Sequence, residues 1–257
     1  MKSLFAFFKK EVQESLRSAR VLVLGIIFIA FGFMNPALTL ITPWIFEVLS
    51  EELGEMGDML AQAVTADALA SWTQFFKNIP MALIAFVFFY SNIFTREYRT
   101  GTLILVLTKG LSRYKVVLAK TANMIIVWTL GYWLCFGITY VCNAVLWDNS
   151  TVESLFAAGF NWWLFGIFTL AFIVLFSVIF KGYVGVLLCT GGVIFAFSVV
   201  GFIPKIAEFL PTSLMNTTSL MLGVESPEDY LWTVIITAAL SVACIIASIP
   251  IFNKKEI

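Results

Sequence analysis

Residues 154–204 read SLFAAGFNWWLFGIFTLAFIVLFSVIFKGYVGVLLCTGGVIFAFSVVGFIP, and Lys181 is the only charge among them. A helix needs about 20 apolar residues to cross a hydrocarbon core. The stretch therefore holds two such runs back to back, Ser154 to Phe180 and Gly182 to Pro204, joined by a Lys-Gly turn. In lipid every backbone polar group must be satisfied within the segment, so this is a helical hairpin through a membrane.

Working outward, four more uncharged runs appear: Val21 to Phe46, Asn78 to Thr95, Thr121 to Trp147 and Tyr230 to Asn253. The aromatic-rich stretch Ser71 to Ile79 extends the second run on its outer side. Asn35-Pro36 and Pro250 read as signals that kink or end a helix. The helical spans are thus placed inside the runs, at about 21–42, 77–95, 118–143, 158–180, 183–203 and 230–251. Composition agrees: the 257 residues are 60% hydrophobic and 12% charged, with a mean hydropathy of +0.95, against roughly 25% charged in a soluble domain. The fold class is an all-α membrane protein of six transmembrane helices. A cleavable signal peptide does not fit the N-terminal region, because the first apolar run is too long and no small-residue cleavage site follows it.

Charge sets the orientation. The chain carries 16 Lys+Arg and 16 Asp+Glu. Lys2, Lys9, Lys10, Arg17 and Arg20 precede the first span. Arg96, Arg99, Lys109, Arg113, Lys115 and Lys120 separate spans two and three, Lys181 separates four and five, and Lys254 and Lys255 follow the last. The opposite loops hold only Lys77 and Lys205, together with most of the acidic residues. Lys and Arg resist translocation, so both termini are expected in the cytoplasm. Trp44, Trp72, Trp147, Trp162, Trp163 and Trp232 fall near the expected outer interface, where indole rings settle.

The same residues exclude function classes. There is no histidine, which removes His-based metal sites and Ser-His or Cys-His catalysis. Cys135, Cys142, Cys189 and Cys244 lie in apolar surroundings and form no CxxC pair, so they read as small core residues. No catalytic residue and no metal site is expected. The runs carry no ionisable group, which weighs against an ion-coupled secondary transporter. That alternative stays open through backbone carbonyls near Gly191-Gly192, as does a structural membrane subunit.

Two elements on the expected cytoplasmic side remain. In residues 1–20, Leu4, Phe5, Phe8, Val12, Leu16 and Ala19 share one helical face and the basic residues the other, the pattern of an amphipathic helix lying in the interface. Each basic residue beside an anionic leaflet contributes about 1 kcal/mol of attraction. The second element is Arg96 to Lys120, REYRTGTLILVLTKGLSRYKVVLAK. It runs from a charged cluster through a Gly-Thr helix start and an apolar turn to a Lys-Gly break, with Ser112 as the N-cap of the next helix. A helix this apolar and too short to span needs a groove to bury itself in, in a partner or beneath its own bundle.

Glu97, then Gly101-Thr102-Leu103, a Leu-rich turn, Gly110, Ser112-Arg113 and Lys120 at the head of span three resemble the permease subunits of ABC type-2 transporters. The resemblance covers the chain from end to end, including the longer outer segment 204–229 between spans five and six. It implies that segment 96–117 forms a cytoplasmic coupling helix, at about Thr100 to Lys109, docking on a separate ATPase. The coupling residues would be Glu97, Gly101, Thr102, Leu103, Leu105, Lys109 and Arg113. It further implies two permeases, identical or different, paired with two ATPases, a pathway between the permeases, short outer helices that close the exit, and an export direction. The chain has no GxxxxGK[ST], so it cannot cradle a nucleotide phosphate itself. It is expected to bind no cofactor, with ATP and Mg on the partner chain, and no nucleic acid.

If the pathway runs between facing permeases, its walls are aromatic: Phe86, Phe88, Phe89 and Tyr90 on span two, with Phe195, Phe197 and Phe202 on span five. Such a lining suits amphipathic or hydrophobic cargo, including peptides, antimicrobials or drugs. The expectation is a multi-pass permease of a bacterial plasma membrane, surrounded by membrane lipids.

Overall fold

A computed structural model describes residues 2–53, 65–108 and 110–255, and among them every regular element is helical. Glu55, Asp58 and Lys109 lie outside the described residues. The helices are α1 (Lys2–Arg17), α2 (Ala19–Leu53), α3 (Ala68–Tyr90), α4 (Thr95–Thr100), α5 (Thr102–Thr108), α6 (Arg113–Leu146), α7 (Leu155–Ile179), α8 (Tyr183–Val200), α9 (Pro204–Ala207), α10 (Thr218–Met221) and α11 (Leu231–Lys254). Among the described residues six helical segments are long and apolar enough to cross a membrane; they fall on α2, α3, α6, α7, α8 and α11.

Helix α2 continues through Asn35-Pro36 and Pro43 to Leu53, where the sequence suggests a kink or an end. The physical reason lies in a neighbour. Pro36 has no N–H to give the Gly32 carbonyl four residues back. The Thr139 hydroxyl of α6 donates to that carbonyl at 2.9 Å. Asn35 reinforces the site: its amide donates to the Phe31 carbonyl, and its oxygen accepts from the Asn78 amide of α3, both at 2.8 Å. Neighbouring helices satisfying freed backbone groups is what lets proline persist in a spanning helix. A Cβ on Gly32 would stand 2.9 Å from the Ile138 Cβ, so the absent side chain is what lets α2 and α6 approach. Replacing Thr139 with valine should remove the donor at constant shape and cost about 1 kcal/mol, read as a small drop in melting temperature of the detergent-solubilised protein.

Helix α7 is the centre of the bundle, with 67% of its span buried, whereas α8 buries only 11%. α7 packs against α6, α8 and α11, and α2 packs on α3 and α6. Between α3 and α6 lies an aromatic core. Trp72 sits against Phe136 with ring centroids 4.7 Å apart, and Phe86 and Trp128 meet edge-on at 5.5 Å. Trp72 is fully buried within the bundle, and its indole N–H donates to Asn149 Oδ1, in the loop between α6 and α7, at 2.9 Å. Asp67 caps α3 by accepting the Ala70 N–H at 2.7 Å, which starts the helix well before Asn78.

The end of the bundle away from α1 is closed by α9, α10 and short 3-10 turns at Pro211–Met215 and Pro227–Tyr230. Leu214, Leu220 and Met221 bury their side chains there. The Tyr230 hydroxyl donates to Glu225 Oε2 at 2.5 Å, with the Asn216 carbonyl 3.0 Å away, and Ser226 with Asp229 forms a reciprocal cap.

Candidate functional site

At the opposite end the chain gathers α1, α4, α5, the start of α6 and the ends of α7 and α11. Lys115 at the head of α6 donates to Ser3 at 2.9 Å, which ties the first turn of α1 to this end. Phe7 and Glu11, one helical turn apart, face the bundle, while Phe5 and Leu16 stay exposed. The buried face of α1 is thus rotated from the apolar face the sequence suggests, because a second stripe, including Ser15, turns toward α6.

The centre of this end is an ion triad. Lys120, in the second turn of α6 and 3% exposed, donates to Glu11 of α1 at 3.0 Å and to Glu97 of α4 at 2.8 Å. A buried ammonium is tolerable only where carboxylates replace its water. The sequence places Lys120 at the head of span three, just ahead of the uncharged run that starts at Thr121; in the structure the helix begins earlier, at Arg113, so this long apolar helix carries an ionisable group near its end. Glu97 finds its basic partner inside its own chain. On the outer side of α1, Lys10 bonds Glu14 at 2.9 Å, and that hydrogen bond holds the Glu14 carboxyl below its ordinary range.

Two further cations close helix ends. One Arg113 nitrogen donates to the carbonyls of Phe252 at 2.7 Å, Asn253 at 3.2 Å and Lys255 at 2.6 Å. The Lys255 ammonium donates to the carbonyls of Val178 at 2.6 Å and of Ile179 and Phe180 at 3.2 Å each. These carbonyls lie at the C-termini of α11 and α7, beyond reach of the regular intrahelical bonds, and cations there also complement the helix dipole. Burial, and then the Lys181 ammonium, pulls the Lys255 pKa below its ordinary value.

The short helices follow from two left-handed glycines. Gly101 has φ +68° and ends α4; Gly110 has φ +85° and follows α5. Only glycine takes such angles without cost. Gly101 is therefore the joint between two helices, not merely the start of one. Leu103 of α5 is fully buried and Leu107 packs on the core. Thr102, beside Gly101, lines a small cleft with Lys10, Glu14, Arg96 and Glu97. Leu105 lies in α5, with its side chain outside the described residues, as is the whole of Lys109. Ser112 sits at the N-cap of α6 without a side-chain capping bond.

Of the seven expected coupling residues, Glu97 and Arg113 are engaged within the chain, Leu103 is buried in it, and Gly101 and Thr102 form the α4–α5 joint. Lys120 belongs to the motif that carries the family resemblance but not to the expected coupling set, and nothing in the sequence marks its partner Glu11 or, beside it on α6, Asn123. Of the expected pathway aromatics, Phe86 and Tyr90 are fully buried and stack on each other at 4.4 Å, and Phe89 is partly buried against the core. Phe197 leans on Phe168 at 5.6 Å, while Phe195 stands exposed on α8. These rings do not share one face: Phe86 and Tyr90, a helical turn apart, point inward to Trp128 and Arg20.

Among the described residues, six helices long and apolar enough to cross a membrane, with short helices folded at each end, define a multi-pass α-helical membrane protein. The family model for ABC-2 family transporter proteins matches residues 5–255, and the chain belongs to that family as a permease of ABC type-2 transporters. A search of curated proteins finds no match. Membership implies a membrane transport subunit that associates with an ABC ATPase.

Proposed function

We propose that this chain is the permease of an ATP-driven exporter, with both termini in the cytoplasm of a bacterial cell and α4–α5 receiving the stroke of a separate ATPase. One observation carries the reading: the buried triad binds α4 through Glu97 to α6 through Lys120 and to α1 through Glu11. A displacement of the α4–α5 pair is thereby delivered to a membrane-crossing helix and to the surface helix together. By sequence, fourteen of the sixteen basic residues fall in the segments assigned to this side, which supports a cytoplasmic placement.

The permease works with a second permease, identical or homologous, and with two ATPases that hold ATP and Mg. The thinly buried α8, with Val184, Leu188 and Phe195 exposed along it, is the face offered to that second permease or to lipid. The cargo is amphipathic or hydrophobic, a peptide, antimicrobial or drug. Its path along this chain is drawn from Phe195 and not from Phe86 or Tyr90, whose rings are occupied by the core.

The test is charge insertion at Leu105. In Leu105→Glu the ATPase should no longer co-purify and transport should fall at least tenfold, while the permease keeps its yield and helical content. Unchanged co-purification and transport would remove α5 from the coupling site.

A further inference from the structure

Two cavities meet at the α1–α2 joint. The first, about 620 Å³, is polar and lies at the end of the bundle that carries α1; its walls include Lys10, Glu14, Arg17, Arg20, Arg96 and Lys120. The second, about 310 Å³, runs along the groove between α2 and α6, and among the described residues only Ser15 and Asn123 bring polar side chains to its lining. Those two residues also line the first cavity, and they are bonded to each other, Asn123 Nδ2 donating to Ser15 Oγ at 2.9 Å. The pair is the boundary at which a polar chamber becomes an apolar one.

The charges of the polar chamber are already sorted. Its three carboxylates, Glu11, Glu14 and Glu97, are all engaged by Lys10 and Lys120. Arg17 and Arg20 have no carboxylate within ion-pair distance among the described residues; Arg20 lies over the Tyr90 ring at 5.4 Å. The chamber therefore has cationic capacity left over on the α1–α2 joint. The apolar groove runs from Asn123 to Leu134, about 16 Å at 1.5 Å per helical residue. That is about half the 30 Å thickness of a hydrocarbon core, the depth of one leaflet. Leu16 and Leu130 stand exposed on its rim, so the groove opens outward to the bilayer.

We infer that this pair of cavities binds one phospholipid from the leaflet on the α1 side, its phosphate at Arg17 and Arg20 and one acyl chain in the groove between α2 and α6. The lipid wedges the joint between the surface helix and the first span. The phosphate chemistry alone is shared with soluble phosphate esters; the length and dryness of the groove select the lipid. The inference stands independently of the transport reading, since it concerns retention and not cargo movement.

The full chain, purified in mild detergent with phosphatidylglycerol added, is measured by native mass spectrometry. One phospholipid should remain per chain, with retention reduced at least tenfold in the double variant Arg17→Ala/Arg20→Ala. Gly25 lines the groove, and a Cβ there meets nothing within 4 Å. Gly25→Leu should therefore fill the groove without harming the fold and reduce retention as much, although both arginines remain. Melting of each variant without lipid checks that the bundle is intact. Wild-type retention in both variants overturns the site. Loss in the arginine variant alone overturns the two-part site, and displacement by glycerol 3-phosphate at lipid concentrations assigns a soluble phosphate ester instead.

Discussion

Lys120→Met is expected to destabilise the protein by about 3 kcal/mol, near the low end for breaking a buried ion pair. The low end applies because Glu11 keeps Lys10 at 3.3 Å and the neighbouring polar cavity admits water to the stranded groups. Glu97, with its side chain 16% exposed, loses the Lys120 ammonium outright. Unfolding in detergent should shift to lower temperature, and amide exchange in α1 should rise, because Glu11–Lys120 is one of the polar ties holding that helix to α6. Adding Glu97→Gln to Lys120→Met should recover part of the loss by neutralising the abandoned charge. Equal melting of wild type and Lys120→Met would mean the triad contributes no net stability.

Gly166→Leu is expected to be at least as damaging, through packing alone. A Cβ at Gly166 would stand 2.2 Å from the Trp128 ring, and a leucine adds three more carbons. Trp128 has nowhere to retreat: Phe28 and Tyr132 stand at 5.9 and 5.5 Å, and its N–H is committed to the Trp163 carbonyl at 3.1 Å. Overpacking of a filled core costs about 1–3 kcal/mol, more where backbone must move. Poor yield and early melting should result. Pairing the milder Gly166→Ala with Trp128→Leu should cost less than the two changes added, since the second makes room for the first. Additive losses would show that the two side chains do not share the space.

The six crossings were legible because each is a local property: an uncharged run long enough for a bilayer needs no knowledge of its neighbours. The short helix Thr102–Thr108 was legible for the same reason, as apolar residues between glycines. What escaped was every feature made by pairing. Glu11 and Lys120 are 109 positions apart, so no spacing rule joins them, and Lys120 at a run's edge reads only as one more basic residue at the head of span three. Asn35-Pro36 reads as a break until Thr139, 107 positions from Gly32, is seen donating to the freed carbonyl. Phe86 and Tyr90 read as pathway walls because an aromatic stripe looks the same whether it faces a pore, lipid or another helix; only Trp128 across from it decides. Glu97 and Arg113 sit at positions that fit a docking role, and their use within the chain shows that a motif can preserve the platform as well as the contact.

Lys255 seals the carbonyls that end α7, and Arg113 seals those that end α11 around it. Seen as a process in time, this means the central helix is finished long before the residue that closes it is translated. Throughout synthesis of α8 to α11 the end of α7 must keep its carbonyls in water or headgroups. The lock between the third, fourth and sixth crossings is set only once the ribosome has passed Lys255. Shortening the chain just ahead of that residue would therefore leave all six crossings inserted, yet deny the bundle its last act of assembly.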